Sequence, residues 1–205
     1  MLREEKKLRT RQAITEAAFA LFAADGFDAV TVAAVARASG VSEATVFNYF
    51  KTKEDLVFGR LEEFEAGLVE AVRNRPPSQS IVTAFGGFLV HRHGLLGSAR
   101  PEDRERLVTV SRIINESAAL RARERQVYDD STRALAALLA DESSADPGDV
   151  RPQVIANALI GVHRAVVELV RAEVLSGRAV DDLGPRVRAQ VESALALLER
   201  GLAAE

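Results

Sequence analysis

The chain has 205 residues, of which 47% are hydrophobic and 5% aromatic, and its formal net charge is −3. It contains no cysteine, which excludes disulfides, thiolate metal sites and a cysteine nucleophile. Alanine and leucine dominate the apolar residues, a composition that favours helices over sheets. The charged start, MLREEKKLRTRQ, is unlike a signal peptide, and no apolar run approaches the roughly 18 residues of a membrane span. We therefore expect a cytoplasmic protein without a membrane partner.

The start of the chain does not share the net negative charge, because its acidic and basic residues are equal in number. Residues 1–56 hold eight Lys/Arg and eight Asp/Glu. The basic residues gather near the first residues, where Arg9 and Arg11 lie, and again at Lys51 and Lys53. Local patches rather than totals set the field at a binding surface, so a nucleic-acid partner is not excluded. The alternative is that these residues form ordinary solvated faces.

The first predicted helix runs from about Glu4 to Ala24. Apolar residues from Ile14 to Phe22 recur at i, i+3, i+4, i+7 and i+8, which is one face of a helix. Gly26 follows at the position where a helix end favours glycine.

Hydroxyl side chains mark the starts of the next three helices. Thr31 and Ser42 each precede a short apolar pattern as an N-cap, and Thr52 caps the fourth helix with Asp55 three residues later. A turn over about residues 38–41 separates the second and third helices. This order and spacing predict helix-turn-helix geometry.

The rest of the chain also has helical patterns and no alternating strand pattern. The fourth helix is long and ends before Pro76-Pro77, because a residue before proline is disfavoured in a helix. Further helices are predicted over about 81–96, from about Arg100, over about 120–140, over about 150–176 and over about 182–200. We therefore predict an all-α fold of about nine helices.

The third helix and the start of the fourth have the residue types of a phosphate-binding surface. Two helix N-termini, at Ser42 and Thr52, offer unpaired N–H groups to anions. Val46 and Phe50 share one inward face, which leaves three polar residues outward: Thr45, Asn48 and Tyr49. Asparagine can pair bidentately with adenine. Lys53 opposes the dipole of the fourth helix, so an anion nearby would account for its position.

Several segments of this region resemble the N-terminal signature of the TetR family of bacterial transcriptional regulators. The resemblance covers residues 10–56, about a quarter of the chain. It rests on Thr31-Val32, Val35-Ala36, Ala38-Ser39-Gly40-Val41-Ser42, Thr45-Val46-Phe47, Tyr49-Phe50 and Lys53-Glu54-Asp55-Leu56, in that order.

The resemblance implies a helix-turn-helix DNA-binding domain over residues 1–56 and a ligand-binding and dimerisation domain over residues 57–205, linked by the long fourth helix. The third helix, begun by Ser42, would enter the major groove of a palindromic operator. The protein would be a homodimeric repressor, associated with the nucleoid and released by a small-molecule effector. The residues implied to contact DNA are Ser42 at the start of the third helix, Thr45, Phe47, Tyr49 and Lys53 at bases or phosphates, Glu43 and Asn48 at variable operator bases, and Arg9 and Arg11 at the backbone.

Glu43 is unexpected on a DNA surface because an acid repels phosphate. It would accept a hydrogen bond from cytosine, stabilise the helix through its dipole, or order a neighbouring basic residue such as Arg37. Phe47 stands where a tyrosine is commoner in the family, and it lacks the hydroxyl that would bond phosphate.

Apolar residues of the second domain are candidates for an effector pocket, although a helical phenylalanine stripe is also typical of plain core. Gly86-Gly87 within an apolar helix indicates either a ligand against the backbone or a close helix crossing. The candidate pocket residues are Phe85, Phe88, Leu89, Ile113, Ile114 and Val127, with Asn115 and Tyr128 as polar anchors.

Small residues on the penultimate helix indicate a close helix approach, either in a dimer or within one chain. The resemblance favours the dimer, in which the last two helices would form a four-helix bundle. The candidate interface residues are Ala158, Gly161, Ala165, Val187, Val191, Leu195 and Leu198.

No residue set indicates catalysis, a cofactor or a metal. His91 and His93 face different sides of a helix, and His163 fits a core or interface histidine. The motifs of common hydrolases, nucleotide-binding proteins and zinc proteases are absent from the sequence. Arg121, Arg123 and Arg125 fit a solvated helix face. We therefore expect no enzyme; the alternative function is a helical ligand-binding or protein-interaction module without specific DNA binding.

Overall fold

The structure is a computed structural model that describes residues 2–92, 101–177 and 183–202. These residues form nine helices and no strand, which confirms the all-α prediction. The predicted positions of Leu96, Arg100 and Asp182, and His93, lie outside the described residues. The helices are α1 (Leu2–Asp25), α2 (Val32–Ala38), α3 (Glu43–Tyr49), α4 (Asp55–Arg73), α5 (Ile81–Arg92), α6 (Pro101–Glu116), α7 (Ala118–Glu142), α8 (Arg151–Leu175) and α9 (Leu183–Leu202).

The chain divides into two compact units. The first contains Met1–Leu61 and Val108–Glu124, and the second contains Glu62–Leu107 and Arg125–Glu205. The first unit thus includes residues 1–56, the predicted DNA-binding domain, and adds a later segment across the end of α6 and the start of α7. The assignment of functions to residues 1–56 and 57–205 stays a prediction.

The core of the first unit is built on the apolar face of α1. Ile14 and Phe22 are fully buried, and the ring of Phe22 lies 5.1 Å from that of Phe27 between centroids. Burial of each such side chain stabilises the fold by about 1.5–3 kcal/mol. The other buried members are Ala18, Val30, Val35, Ala36, Val46, Phe50, Leu56, Phe58, Ile113, Ile114 and Leu120.

The turn between α2 and α3 is fixed by capping at both sides. Thr31 caps α2, its side chain accepting from the Ala34 N–H at 3.1 Å. After α2, the Gly40 N–H donates to the Arg37 carbonyl and the Val41 N–H donates to the Ala36 carbonyl. This is a Schellman ending, and it requires the left-handed backbone that Gly40 adopts at φ 69°. The predicted helix-turn-helix is confirmed.

The core of the second unit is formed by the later parts of α4 and α7 with α5, α8 and α9. Leu68, Phe85, Leu89, Leu135 and Leu159 are fully buried in it. Within the unit, α9 packs against both α5 and α8. Large aliphatic residues at helical spacing therefore build a helical layer, as their pattern predicts.

The two glycines of α5 have different surroundings. A Cβ on Gly86 would lie 2.3 Å from Cδ1 of Leu195, whereas a Cβ on Gly87 would meet nothing within 4 Å. Gly86 thus permits the close crossing of α5 and α9, which supports the helix-crossing interpretation at Gly86 and leaves Gly87 without such a reason.

α8 is the one described helix that is long and apolar enough to span a membrane by length and composition. Core helices of water-soluble proteins pass the same test. Eight residues of α8 are buried against the chain's own body, and Arg164 and Glu168 lie along it. Its apolar character is thus accounted for by core packing.

Candidate functional site

α3 is held at its start by a cap and along one side by buried residues. The Ser42 hydroxyl accepts from the Thr45 N–H at 3.1 Å and lies 2.8 Å from the Thr45 hydroxyl. Val46 and Phe50 are buried in the first unit, as predicted. The opposite face of this helix is thereby fixed toward solvent.

Three of the predicted DNA contacts are exposed on that face. Glu43, Phe47 and Asn48 are exposed, and the ring of Phe47 is unusually open at 48%. Thr45 and Tyr49 are half-buried. Among the described residues, neither Glu43 nor Asn48 forms a side-chain hydrogen bond or ion pair. Glu43 therefore does not order Arg37, which leaves the helix dipole and base reading.

Lys53 has a local environment that the sequence does not reveal. Its ammonium lies 4.2 Å from the centroid of the Phe27 ring and donates to the Asp28 carbonyl at 3.4 Å. Partial burial lowers the pKa of Lys53 from its usual value, while the charges of Asp28 and Glu54 oppose that shift. These contacts satisfy Lys53 locally, so its place at the start of α4 does not itself require an anion.

The two arginines of the predicted arm differ in accessibility. Arg9 is exposed, whereas Arg11 is half-buried with its guanidinium 5.5 Å from the centroid of the Phe50 ring. Arg11 also packs on Gly59, where a Cβ would lie 3.0 Å from its Nη2 atom. Arg9 is therefore the more available of the two for a phosphate.

The start of α4 is stabilised by a reciprocal cap, as predicted. The Thr52 N–H donates to Oδ2 of Asp55 at 3.0 Å, and the Asp55 N–H donates to the Thr52 hydroxyl at 3.3 Å. Oδ1 of Asp55 lies 3.2 Å from Nη2 of Arg123. The expectation that Arg123 belongs to a solvated face is wrong, because it is half-buried beside this carboxylate.

Two further polar contacts join residues 108–124 to the rest of the first unit. The Ser117 hydroxyl donates to Oδ1 of Asp28 at 2.8 Å, and Nη2 of Arg112 donates to the Ala23 carbonyl at 2.7 Å. The sequence gives no signal for either contact, because the partners are far apart along the chain and each lies in an ordinary helical pattern.

The eight candidate pocket residues are divided between the two units. Phe85, Leu89 and Tyr128 are buried in the core of the second unit, and Phe88 packs beside them. Ile113 and Ile114 are instead buried in the core of the first unit. Asn115 is exposed and Val127 is buried. The pocket that these residues would line stays a prediction.

A buried polar pair lies in the second unit. Oε1 of Glu65 lies 2.9 Å from Nδ1 of His163, and the two residues are 4% and 2% exposed. The edge of the Tyr128 ring meets His163 with centroids 5.7 Å apart. His163 is thus a core histidine, as predicted. Glu65 was missed, although the signal is present: an acid interrupts the apolar stripe of Leu61, Leu68 and Val72.

The candidate dimer residues differ in how much surface they offer. Gly161 and Ala165 are exposed on α8, and Ala158 is half-buried. Val187 and Val191 are buried in the chain's own core, and Leu195 and Leu198 pack against it. The α9 residues thus take part in packing within the chain, and on α8 the exposed Gly161 and Ala165 are available to a partner.

The described residues contain no group of three or more metal-ligating side chains. His163 lies beside a carboxylate and aromatic rings, and His93 lies outside the described residues.

Comparisons with known proteins cover both units of the chain. Residues 14–59 match the family model of bacterial regulatory proteins, tetR family, and residues 75–203 match that of the MftR C-terminal domain. The chain is 26% identical over 178 residues to the HTH-type transcriptional regulator TcmR of Streptomyces glaucescens, covering 84% of this chain and 76% of that protein.

A second relative and a solved structure agree with these matches. The chain is 26% identical over 163 residues to MftR of Mycobacterium tuberculosis, a transcriptional regulator assigned to mycofactocin biosynthesis, covering 80% of each chain. The structure of the fatty acid degradation regulator FadR from Bacillus halodurans has a TM-score of 0.56 at 21% identity. It covers 91% of this chain and 94% of its own, which shows a common fold.

Proposed function

The chain belongs to the TetR family of bacterial regulatory proteins and is a DNA-binding transcriptional regulator rather than an enzyme, and we propose that it is a repressor. In this proposal it binds a palindromic operator as a homodimer, and a small-molecule effector releases the DNA. It acts on the nucleoid in the cytoplasm, without a cofactor or a membrane partner.

The observation that carries the DNA-binding part is the exposed face of a rigidly capped α3. Ser42 and Val46 fix the helix from two sides, and Phe47 and Asn48 stand on its free side. A side chain held on a rigid helix reaches a base edge with little further loss of freedom. Asn48 has no competing partner among the described residues, so its amide is available for the bidentate pairing with adenine.

The dimer is supported by the exposed small residues of α8. Gly161 and Ala165 place two small residues on the exposed side of a long apolar helix, which suits a close approach by a second copy. Two recognition helices would then read half-sites about 34 Å apart, or a multiple of one helical turn.

The test is a footprint on the DNA upstream of the protein's own gene, with affinity measured over a range of salt concentrations. Specific binding should weaken steeply as salt rises, because phosphate contacts release counterions. Asn48→Ala should reduce operator affinity about fivefold or more, since a bidentate base contact contributes about 1–3 kcal/mol of discrimination.

Asn115→Ala is the matched control, because Asn115 is an exposed asparagine of the same unit outside α3. Tyr49 and Lys53 are poorer targets, since both are half-buried and their removal also changes packing. Equal affinity of the purified protein for every genomic fragment would reject the operator proposal.

A further inference from the structure

Glu65 is a buried acid whose surroundings leave it incompletely satisfied. Both of its oxygens are buried, and neither accepts an aligned hydrogen bond from the described residues. Its one basic neighbour within 4 Å among those residues is the imidazole of His163, whose Nδ1 lies 2.9 Å from Oε1 of Glu65. Burying a carboxylate without hydrogen-bond donors costs free energy, so an acid in this position needs an explanation.

Asp55, the buried carboxylate of the first unit, has both hydrogen-bond donors and a charged partner. Asp55 accepts from the Thr52 N–H and pairs with the Arg123 guanidinium. Glu65 lies in an apolar core with neither a backbone N–H nor an arginine or lysine beside it among the described residues. The contrast shows that Glu65, apart from its close approach to His163, has acceptor capacity that no described residue uses.

Aromatic rings lead from the surface of the second unit to this acid. The ring of Phe88 lies 5.1 Å from that of Phe64, and Phe64 lies 5.0 Å from the imidazole of His163, measured between centroids. Phe64 and Phe88 are half-buried, whereas His163 and Tyr128 are buried. Phe88 packs on Gly67, where a Cβ would lie 3.0 Å from Cζ of its ring. The row therefore has an outer end and a buried end.

We propose that Glu65 is the polar recognition point of the effector site, and that the effector is a cationic amine carried on an apolar body. The ammonium would donate to the free carboxylate oxygen, and the body would lie along Phe64 and Phe88. A carboxylate supplies both the charge and the acceptors that an ammonium needs, and ring faces attract a cation further. An anionic effector would meet an uncompensated acid, and a neutral alcohol would forgo the charge interaction. The inference rests on the proposed function, because it names the ligand of that regulator.

The test titrates the purified protein, without DNA, with three probes of equal chain length: octylammonium, octanol and octanoate. Isothermal titration calorimetry should give octylammonium an affinity at least about tenfold above the other two. Glu65→Gln keeps the shape and removes the charge, so it should reduce octylammonium affinity about tenfold or more. Glu192→Gln, at an exposed acid of α9, should leave the affinity unchanged.

A second variant guards against misfolding of Glu65→Gln. Phe88→Leu removes one ring at the half-buried end of the row and should also reduce octylammonium affinity. Stronger binding of octanol or octanoate, no saturable binding of octylammonium, or an unchanged affinity in Glu65→Gln would each overturn the proposal. Operator binding is measured separately on the same proteins. Specific DNA binding without the amine preference rejects this inference alone, whereas a Glu65-dependent amine site in a protein that binds no specific operator rejects the repressor.

Discussion

Glu43 is the residue at which two physical roles compete. It lies in the first turn of α3, is exposed, and has no side-chain partner among the described residues. An acid there stabilises the helix by about 0.3–1 kcal/mol through the dipole. We expect Glu43→Gln to lower the free energy of unfolding by that amount, measured by chemical denaturation, because glutamine loses the charge.

The second role of Glu43 is measured by selecting operator variants with the wild type and with Glu43→Gln. A changed preference at one base position means that Glu43 reads that base, whereas a stability change alone leaves only the dipole. Asp25→Asn is the matched control, since it removes an exposed acid of the same unit that lies at the C-terminus of α1 rather than at a helix N-terminus. It should stabilise the protein slightly or have no effect, because an acid at a helix C-terminus is unfavourable.

At the scale of elements, the glycine pair of α5 gives a matched test of helix packing. Gly87→Ala adds a methyl group where nothing lies within 4 Å, so it should raise the free energy of unfolding by about 0.5–1 kcal/mol. Gly86→Ala gains the same helix propensity, but its Cβ would overlap the Leu195 side chain. Overpacking costs about 1–3 kcal/mol, so Gly86→Ala should be less stable than Gly87→Ala by about that amount.

A double-mutant cycle shows whether Leu195 is the cause. In a Leu195→Ala background the difference between the two alanine variants should shrink by about 1 kcal/mol or more, because the overlapping atoms are gone. Thermal or denaturant unfolding measures all of the variants. An undiminished difference in that background would place the strain elsewhere in α5.

At the scale of the whole molecule, the sequence predicts what is local and misses what depends on distant partners. Residues close in sequence determine the helix periods, the caps at Thr31, Ser42 and Thr52, and the helix end at Gly40. All of these features are found in the structure. The contact of Arg123 with Asp55 joins residues 68 positions apart, so no local sequence pattern predicts it.

The division of the candidate pocket residues between the two cores was not predictable for the same reason. An apolar stripe predicts that a helix face is buried, but it does not predict in which of the two cores that face is buried. Ile113 and Phe85 have similar patterns and yet belong to the cores of different units. Glu65 had a readable signal, an acid on an apolar stripe, but its partner His163 becomes apparent only once α4 and α8 are packed.

The oligomeric state of the protein in solution is tested by a substitution on the outer face of α8. Ala165 is exposed beside Gly161, so a glutamate there is harmless in one chain but places like charges in a close symmetric contact. Ala165→Glu should shift the protein from dimer to monomer in sedimentation velocity and weaken operator binding at least about tenfold. Ala134→Glu makes the same change on the exposed face of α7 and should keep the dimer. A dimer that persists in Ala165→Glu with full operator affinity would place the interface on another surface, and a monomeric wild type would remove the palindrome from the proposal.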